Sequence, residues 1–250
     1  IAAHLGFGDG RTSGVAWAGL GAVAGRGIAE TPATGAVTNS TFQGNRIGAF
    51  SDLAPDMTWT RNQFLANQGH GFNAHSGCRA LILDGNTATG NRGDGFLLAR
   101  GCRDNLLQGN HAVRNGQSGI VLGNGSATPV ESAGNTVISN TAIDNAAGLV
   151  VDGGTGNRLR GNTVQGGGTG IEIRNSRANP VEGNTVRDVN GPGVDLDGGA
   201  GNQVTGNRIE RSHVGLYLKR ATAGGVISKN QILASAQFGI YLSEGAGGNR

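Results

Sequence analysis

About every two dozen residues the chain returns to one short phrase: an asparagine, usually after a glycine, then a variable residue and an apolar one. Gly161-Asn162-Thr163-Val164 and Gly206-Asn207-Arg208-Ile209 are two instances. Such triplets begin at Asn45, Asn62, Asn86, Asn110, Asn135, Asn162, Asn184, Asn207 and Asn230. After a first step of 17 residues, the steps are 24, 24, 25, 27, 22, 23 and 23. A second phrase, glycine followed by apolar alternation, keeps time with the first. It occurs at Gly95-Phe96-Leu97-Leu98, Gly119-Ile120-Val121-Leu122, Gly148-Leu149-Val150-Val151, Gly170-Ile171-Glu172-Ile173, Gly193-Val194-Asp195-Leu196, Gly215-Leu216-Tyr217-Leu218 and Gly239-Ile240-Tyr241-Leu242. Weaker third runs include Leu81-Ile82-Leu83, Leu106-Leu107, Gln203-Val204 and Val226-Ile227.

Three short period-two runs per repeat mean three strands per turn, and no stretch shows a helical period. Short strands with one apolar face must bury it against their neighbours. Stacking the repeats does so, which predicts an all-β, right-handed parallel β-helix of about 9–10 coils of 22–27 residues. Asparagines at one corner should form a ladder between coils. Glycines should supply the left-handed backbone that corners need. Coils of a solenoid do not fold alone, so residues 1–250 form a single β-helix domain. Within it, residues 1–40 read as an irregular first coil. Leu5-Gly6-Phe7 and Gly14-Val15-Ala16-Trp17 supply strand-like runs, and Gly19 to Thr34 a loop excursion. Thr128-Pro129-Val130-Glu131 and Asn179-Pro180 mark turns.

Composition narrows the function classes. Glycine is 48 of 250 residues without a triplet period, which excludes collagen, and only 5 prolines argue against a disordered linker. No run of about 18 apolar residues is present, so no membrane span is expected. No aromatic-plus-basic pattern suggests nucleic acid. Net charge of +3 and a pI of 9.3 mildly favour an anionic partner, but equally fit a solvated surface. The first residues do not form a signal peptide, and Arg250 falls in mid-repeat, so both ends read as cut from a longer protein.

Stacking turns sequence into columns. If Ile120 and Leu122 point inward, Val121 and everything aligned with it point outward. One outward column reads Phe50, Asn73, Leu97, Val121, Val150, Glu172, Asp195, Tyr217, Tyr241. The next reads Asp52, His75, Ala99, Gly123, Asp152, Arg174, Asp197, Lys219, Ser243. Together they predict a long shallow face whose polar and aromatic groups suit an extended sugar polymer. Plain solvent exposure, with surface ion pairs such as Arg174 with Asp197, is the other account of it.

The chemistry concentrates in Gly69-His70-Gly71-Phe72-Asn73-Ala74-His75-Ser76-Gly77-Cys78 and the segment 24 residues on, Gly93-Asp94-Gly95-Phe96-Leu97-Leu98-Ala99-Arg100-Gly101-Cys102. The register puts Asp52 one coil below His75 and Arg100 one coil above, at the neighbouring position. His70 stands at the corner before the same strand. A base, a cation and a second proton-transfer group on one surface form a candidate site for proton abstraction. Cys78 and Cys102 fall on the same corner of successive coils. They are expected within disulfide reach, but with parallel side chains that favour a reduced pair. His4, His111 and His213 read as surface groups. No motif marks a metal or organic cofactor, and no glycine-rich nonapeptide calcium repeat is present. Carboxylate-bound calcium between protein and polymer would be compatible with this surface, but no motif demands it.

These segments resemble the mannuronan C5-epimerases, alginate-modifying β-helix enzymes, and in particular their periplasmic branch. The family signature is Tyr-Gly-Phe-Asp-Pro-His-Asp; here the stretch reads His70-Gly71-Phe72-Asn73-Ala74-His75-Ser76. A Gly-apolar-apolar-apolar-Ser-Arg strand follows in the family, matched by Gly95 to Arg100. Leu5-Gly6-Phe7, Gly14-Val15-Ala16-Trp17 and Val37-Thr38-Asn39-Ser40 extend the resemblance upstream, so that it covers residues 1 to about 125. It implies an anionic polyuronate partner, a periplasmic or secreted location and contact with other proteins of polysaccharide synthesis or export. It also implies a mechanism. A cation neutralises the C5 carboxylate, a base takes the C5 proton, and the enolate is reprotonated on the opposite ring face. His75 matches the base, Arg100 the cation, and His70 stands where the family has its tyrosine donor. Asn73 and Asp52 complete the catalytic set. Phe50, Ser76, Asp152, Glu172, Arg174, Asp195, Tyr217 and Lys219 are the expected substrate-binding residues. Asn73 and Ser76 replace two carboxylates of the signature. Four outcomes therefore stay open: a C5-epimerase, a lyase that shares the enolate but expels the 4-O substituent, a non-catalytic polysaccharide-binding relative, and a purely structural surface or adhesive β-helix.

Overall fold

The computed structural model describes residues 35–52, 54–123, 131–220, 222–243 and 245–250. The expectations for residues 1–34 and for Thr128-Pro129-Val130 lie outside them. Strands wind into three nine-stranded parallel sheets, with one further parallel pair, Ser132–Ala133 with Gly154–Thr155, and no helix among the described residues. The first sheet runs from Gly35–Thr38 to Val226–Ser228, the second from Thr41–Gln43 to Gln231–Leu233, and the third from Ala49–Asp52 to Phe238–Leu242. Each turn of chain contributes one strand to each sheet, which is the right-handed parallel β-helix that the repeat predicts.

Alternation along each strand decides what is inside. On Phe72–His75, Phe72 and Ala74 are fully buried in the core while His75 faces out. The N-terminal coils fill the core with aromatic rings. Phe42 stacks on Phe64 at 5.3 Å, and Trp59 meets Phe72 edge-on at 5.0 Å. Beyond residue 120 aliphatic side chains such as Ile171, Ile173, Val194 and Leu216 take over the same space. In the last strand, Ile240 and Leu242 are exposed.

The asparagine repeat resolves into three ladders rather than one. The first runs through Asn62, Asn86, Asn110, Asn140, Asn162, Asn184, Asn207 and Asn230. A second joins Asn45, Asn67, Asn91, Asn115 and Asn145. A third joins Asn105, Asn135, Asn157, Asn179 and Asn202. Asn45 and Asn135 therefore belong to other corners than the sequence spacing assigned them, and coil lengths run from 22 to 30 residues. A triangular coil has three corners, and each uses the same amide solution. Asn86 shows it: its backbone N–H and its Nδ2 both donate to Asn110 Oδ1, and Nδ2 also donates to the Trp59 carbonyl. Buried corner amides that strand pairing leaves free are thereby satisfied. The residue before each asparagine of the first ladder is left-handed, which suits Gly85 at φ 62° but is also adopted by Arg61 and Ser139.

The outward columns hold their expected register. Phe50 pairs with Asn73, Asn73 with Leu97, Leu97 with Val121, Val121 with Val150, and Val150 with Glu172. Their exposure does not match expectation. Leu97, Val121 and Val150 are nearly fully buried and, with Ala99 and Ala147, form a second apolar cluster outside the third sheet.

Candidate functional site

The third sheet presents its outer face as three patches in line along the solenoid axis. The first centres on His75. Its Nδ1 lies 2.7 Å from Ser76 Oγ and 3.5 Å from Asp52 Oδ1 on the coil below. That Asp52 oxygen is buried and has no hydrogen-bond partner, so it favours a proton on Nδ1. Nε2 then carries the lone pair, as a base requires. Phe50 packs against the imidazole with ring centroids 5.8 Å apart. Ser76, expected to face substrate, hydrogen-bonds the histidine. Asp52 stands where the register placed it.

Arg100 occupies the corner one coil above, equivalent to Ser76. Gly77 N–H donates to the Arg100 carbonyl at 2.9 Å, and both Ser76 and Arg100 adopt left-handed φ, 57° and 48°. The arginine is exposed and joins no ion pair among the described residues. Asn73 is buried, with an Oδ1 that lacks a hydrogen-bond partner.

The second patch is a cavity of about 480 Å³ lined by His70, Asp94, Gln117 and Ser118 on one side, Arg174 on another and Leu97, Val121 and Val150 as floor. His70 thus belongs to a different cluster from His75. Its Nδ1 sits 3.1 Å from Asp94 Oδ2. Sequence pattern did not single out Asp94, although it stands 24 residues after His70 and so on the next coil at the same corner. The apolar floor was likewise read only as surface.

The third patch is a network of charges. Arg174 reaches back to Asp152 at 2.9 Å and to Glu172 at 3.3 Å, and not to Asp197 as the register suggested. Asp197 is instead held by Lys219 at 3.4 Å and by Arg220, and Lys219 also reaches Asp195 at 3.1 Å. Lys219 lies over the Tyr217 ring at 4.9 Å, and Tyr217 stacks on Tyr241. Burial pushes the Glu172 carboxyl up, partly opposed by Arg174, and pushes Asp195 up against the pull of Lys219. For Asp197 burial acts in the same upward sense, but the Arg220 hydrogen bond and the Lys219 charge outweigh it and hold that carboxyl down. Lys219 is raised, because its bonds to Asp195 and Asp197 overcome burial.

Behind the His75 corner, Cys78 and Cys102 are both free and buried, as the parallel side chains suggested. Each thiol donates to the carbonyl three residues back, His75 and Ala99, at 3.0 Å. Cys102 is pushed up by its hydrogen bond to Cys78 and then by burial, so it stays a thiol. His111 and His213 are exposed.

Three parallel sheets around one core, with polar chemistry displayed on the outer face of one of them, define a right-handed β-helix protein. The chain belongs to the right handed beta helix region family, whose model matches residues 24–164, and to the family described as periplasmic copper-binding protein (NosD), matched over residues 123–250. No group of three or more His, Cys, Asp and Glu among the described residues could hold a metal ion. Among solved structures, the periplasmic alginate epimerase AlgG is similar with a TM-score of 0.66 at 19% identity, over 84% of this chain and 50% of that one. The A-module of the Azotobacter vinelandii mannuronan C-5 epimerase AlgE4 gives 0.70 at 17% identity, over 79% of this chain and 58% of that one. The chain thus spans about half the length of these structures, and the likeness is one of fold. No curated protein matches it in sequence.

Proposed function

We propose that this protein is a polysaccharide-modifying isomerase, a C5-epimerase that turns mannuronate, or a related uronate, into its C5 epimer within an anionic polymer. The observation that carries the proposal is His75: an outward imidazole with Nδ1 anchored by Ser76 and backed by an orphan Asp52 oxygen, one coil below an arginine without an ion-pair partner among the described residues. Arg100 neutralises the C5 carboxylate, which acidifies the C5 proton. His75 Nε2 takes that proton, and its new positive charge is met by Asp52. His70 returns a proton from the opposite ring face, from the edge of the cavity. Asn73 holds the strand between Phe50 and Leu97 and completes the set. Sugar residues further along lie over the apolar floor and against Asp152, Glu172, Arg174, Asp195, Tyr217 and Lys219. Phe50 and Ser76 flank the reacting residue.

Fold likeness to a periplasmic alginate epimerase and to a mannuronan C-5 epimerase module supports this function and, with it, a periplasmic or secreted site of action. Proteins of polysaccharide synthesis or export are the partners such an enzyme would meet. The chemistry derived from these residues requires no resident metal or organic cofactor.

The test is a proton NMR time course of polymannuronate incubated with the full chain in D₂O. Growth of guluronate anomeric signals with deuterium entering C5 is expected. Unsaturated vinyl signals would identify a lyase instead. An unchanged polymer that still binds would leave a polysaccharide-binding relative, the outcome that the buried Asn73 and the protein-bound Ser76 would then explain.

A further inference from the structure

We infer that Asp94 is a positioning residue that makes His70 a two-state proton carrier; its role in turnover rests on the epimerase function proposed above. His70 Nδ1 has two partners, both from Asp94. The Asp94 backbone N–H donates to it at 3.1 Å, and Asp94 Oδ2 lies at 3.1 Å. These partners suit opposite protonation states. A neutral ring accepts the backbone N–H at Nδ1 and keeps its proton on Nε2. A ring that gains a second proton carries it on Nδ1, where the carboxylate accepts it. Either way Nδ1 is occupied by Asp94, and Nε2 is left for the cavity that His70 lines.

The seat is rigid. Asp94 is 6% exposed, and its Oδ1 accepts the Ser118 backbone N–H at 2.8 Å, which fixes the carboxylate plane. Gly93 leaves room for the ring, since a Cβ there would come within 2.8 Å of His70 Nδ1. The charged groups lining the cavity with His70 are Asp94 and Arg174; Gln117 and Ser118 are neutral, and the floor is apolar. In the reprotonation step the Nε2–H bond of the imidazolium breaks, its electron pair stays on Nε2, and the proton forms the new C5–H bond with the enolate carbon. The ring is left with its one proton on Nδ1, held by Asp94 Oδ2, and returns to the Nε2–H tautomer that accepts the backbone N–H by proton exchange with water. A further proton from water restores the donor.

Selective ¹⁵N-histidine NMR on the full chain, combined with turnover kinetics on polymannuronate, tests this. In Asp94→Asn, the ¹⁵N signature of the His70 Nδ1–H held by the carboxylate should be lost while the His75 signals are unmoved. With it kcat should fall about tenfold, and KM should stay within about twofold, because the alteration touches proton transfer and not polymer contacts. Gly93→Ala, which leaves the carboxylate intact but pushes the ring away, should lose the Nδ1 hydrogen-bond signature of His70 as well. A His70 Nδ1 signature that is the same in Asp94→Asn overturns the inference, as does a kcat that the variant leaves unchanged. If His70 responds as expected but wild-type protein leaves polymannuronate unchanged, the pair stands and the epimerase function fails.

Discussion

The two ends of the third sheet's outer face use charge in opposite ways. Around residue 75 each imidazole is backed by a carboxylate, at 3.5 Å for His75 and 3.1 Å for His70, and the nearby Arg100 has no ion-pair partner among the described residues. Around residue 195 acids and bases interlock: Asp152 and Glu172 with Arg174, and Asp195 and Asp197 with Lys219 and Arg220. The first arrangement leaves an uncompensated cation and basic nitrogens to face a ligand. The second sets four carboxylates against three cations, each ion held by a partner, so it ties successive coils together and offers hydrogen bonds more than a free charge. Identical scaffolding thus carries a cation unpaired among the described residues and an interlocked charge network a few coils apart.

The strongest way to break this contrast is His75→Ala. Turnover of polymannuronate should fall about 10³-fold while polymer binding persists; retained C5 deuterium exchange would remove His75 from the base role. Arg100→Ala comes next, with an expected loss of about 10²-fold in kcat/KM, whereas Arg174→Ala should weaken binding and leave kcat nearly unchanged. Equal kcat losses at both arginines would erase the difference between the two ends. Lys219→Met should destabilise the fold by about 2 kcal/mol in urea unfolding, because it strips Asp195 and Asp197 of a shared cation. The smallest effect is in pH dependence. Burial raises Glu172, so the folded state binds its proton more tightly than the unfolded chain does. Its contribution to stability is therefore present at low pH and is lost as pH rises through the ordinary glutamate range toward the raised value. Asp197, held down, acts oppositely: its contribution is present above the ordinary aspartate range and is lost as pH falls. Glu172→Gln should flatten the first slope in calorimetry as pH rises above the ordinary glutamate range, and an unchanged slope would assign it elsewhere.

Most of the scaffold was legible in the sequence because a solenoid repeats the same local problem. Period-two runs located all three sheets, and alignment at Gly71 and Gly95 gave the register of Phe50, Asn73 and Leu97 without error. The ladders were merged because identical asparagine phrases serve different corners, and spacing alone does not number corners. Burial of Leu97, Val121 and Val150 was illegible for another reason: alternation tells which side of a sheet a residue takes, not what lies over that side. Arg174 has a long side chain that can reach along the axis in either direction, so register fixed its column but not its partner. Asp94 escaped notice because it sits at a corner, outside strand alternation, where the informative fact was its alignment with His70.

The coil that contains residues 124–130 is 30 residues long rather than 22 to 24, yet its strand Ser118–Gly123 pairs in register on both sides. The extra residues lie in sequence between Gly123, which ends the third-sheet strand, and Thr136, which begins the next first-sheet strand, the same connection that carries Ser76 and Arg100 in earlier coils. Chain length can vary there while all three amide ladders stay unbroken. The architecture therefore separates two kinds of change: the ladders set a fixed pitch, and one connection beside the outer face of the third sheet accommodates extra chain. On the function proposed above, substrate preference would be rewritten along that seam without renegotiating the fold.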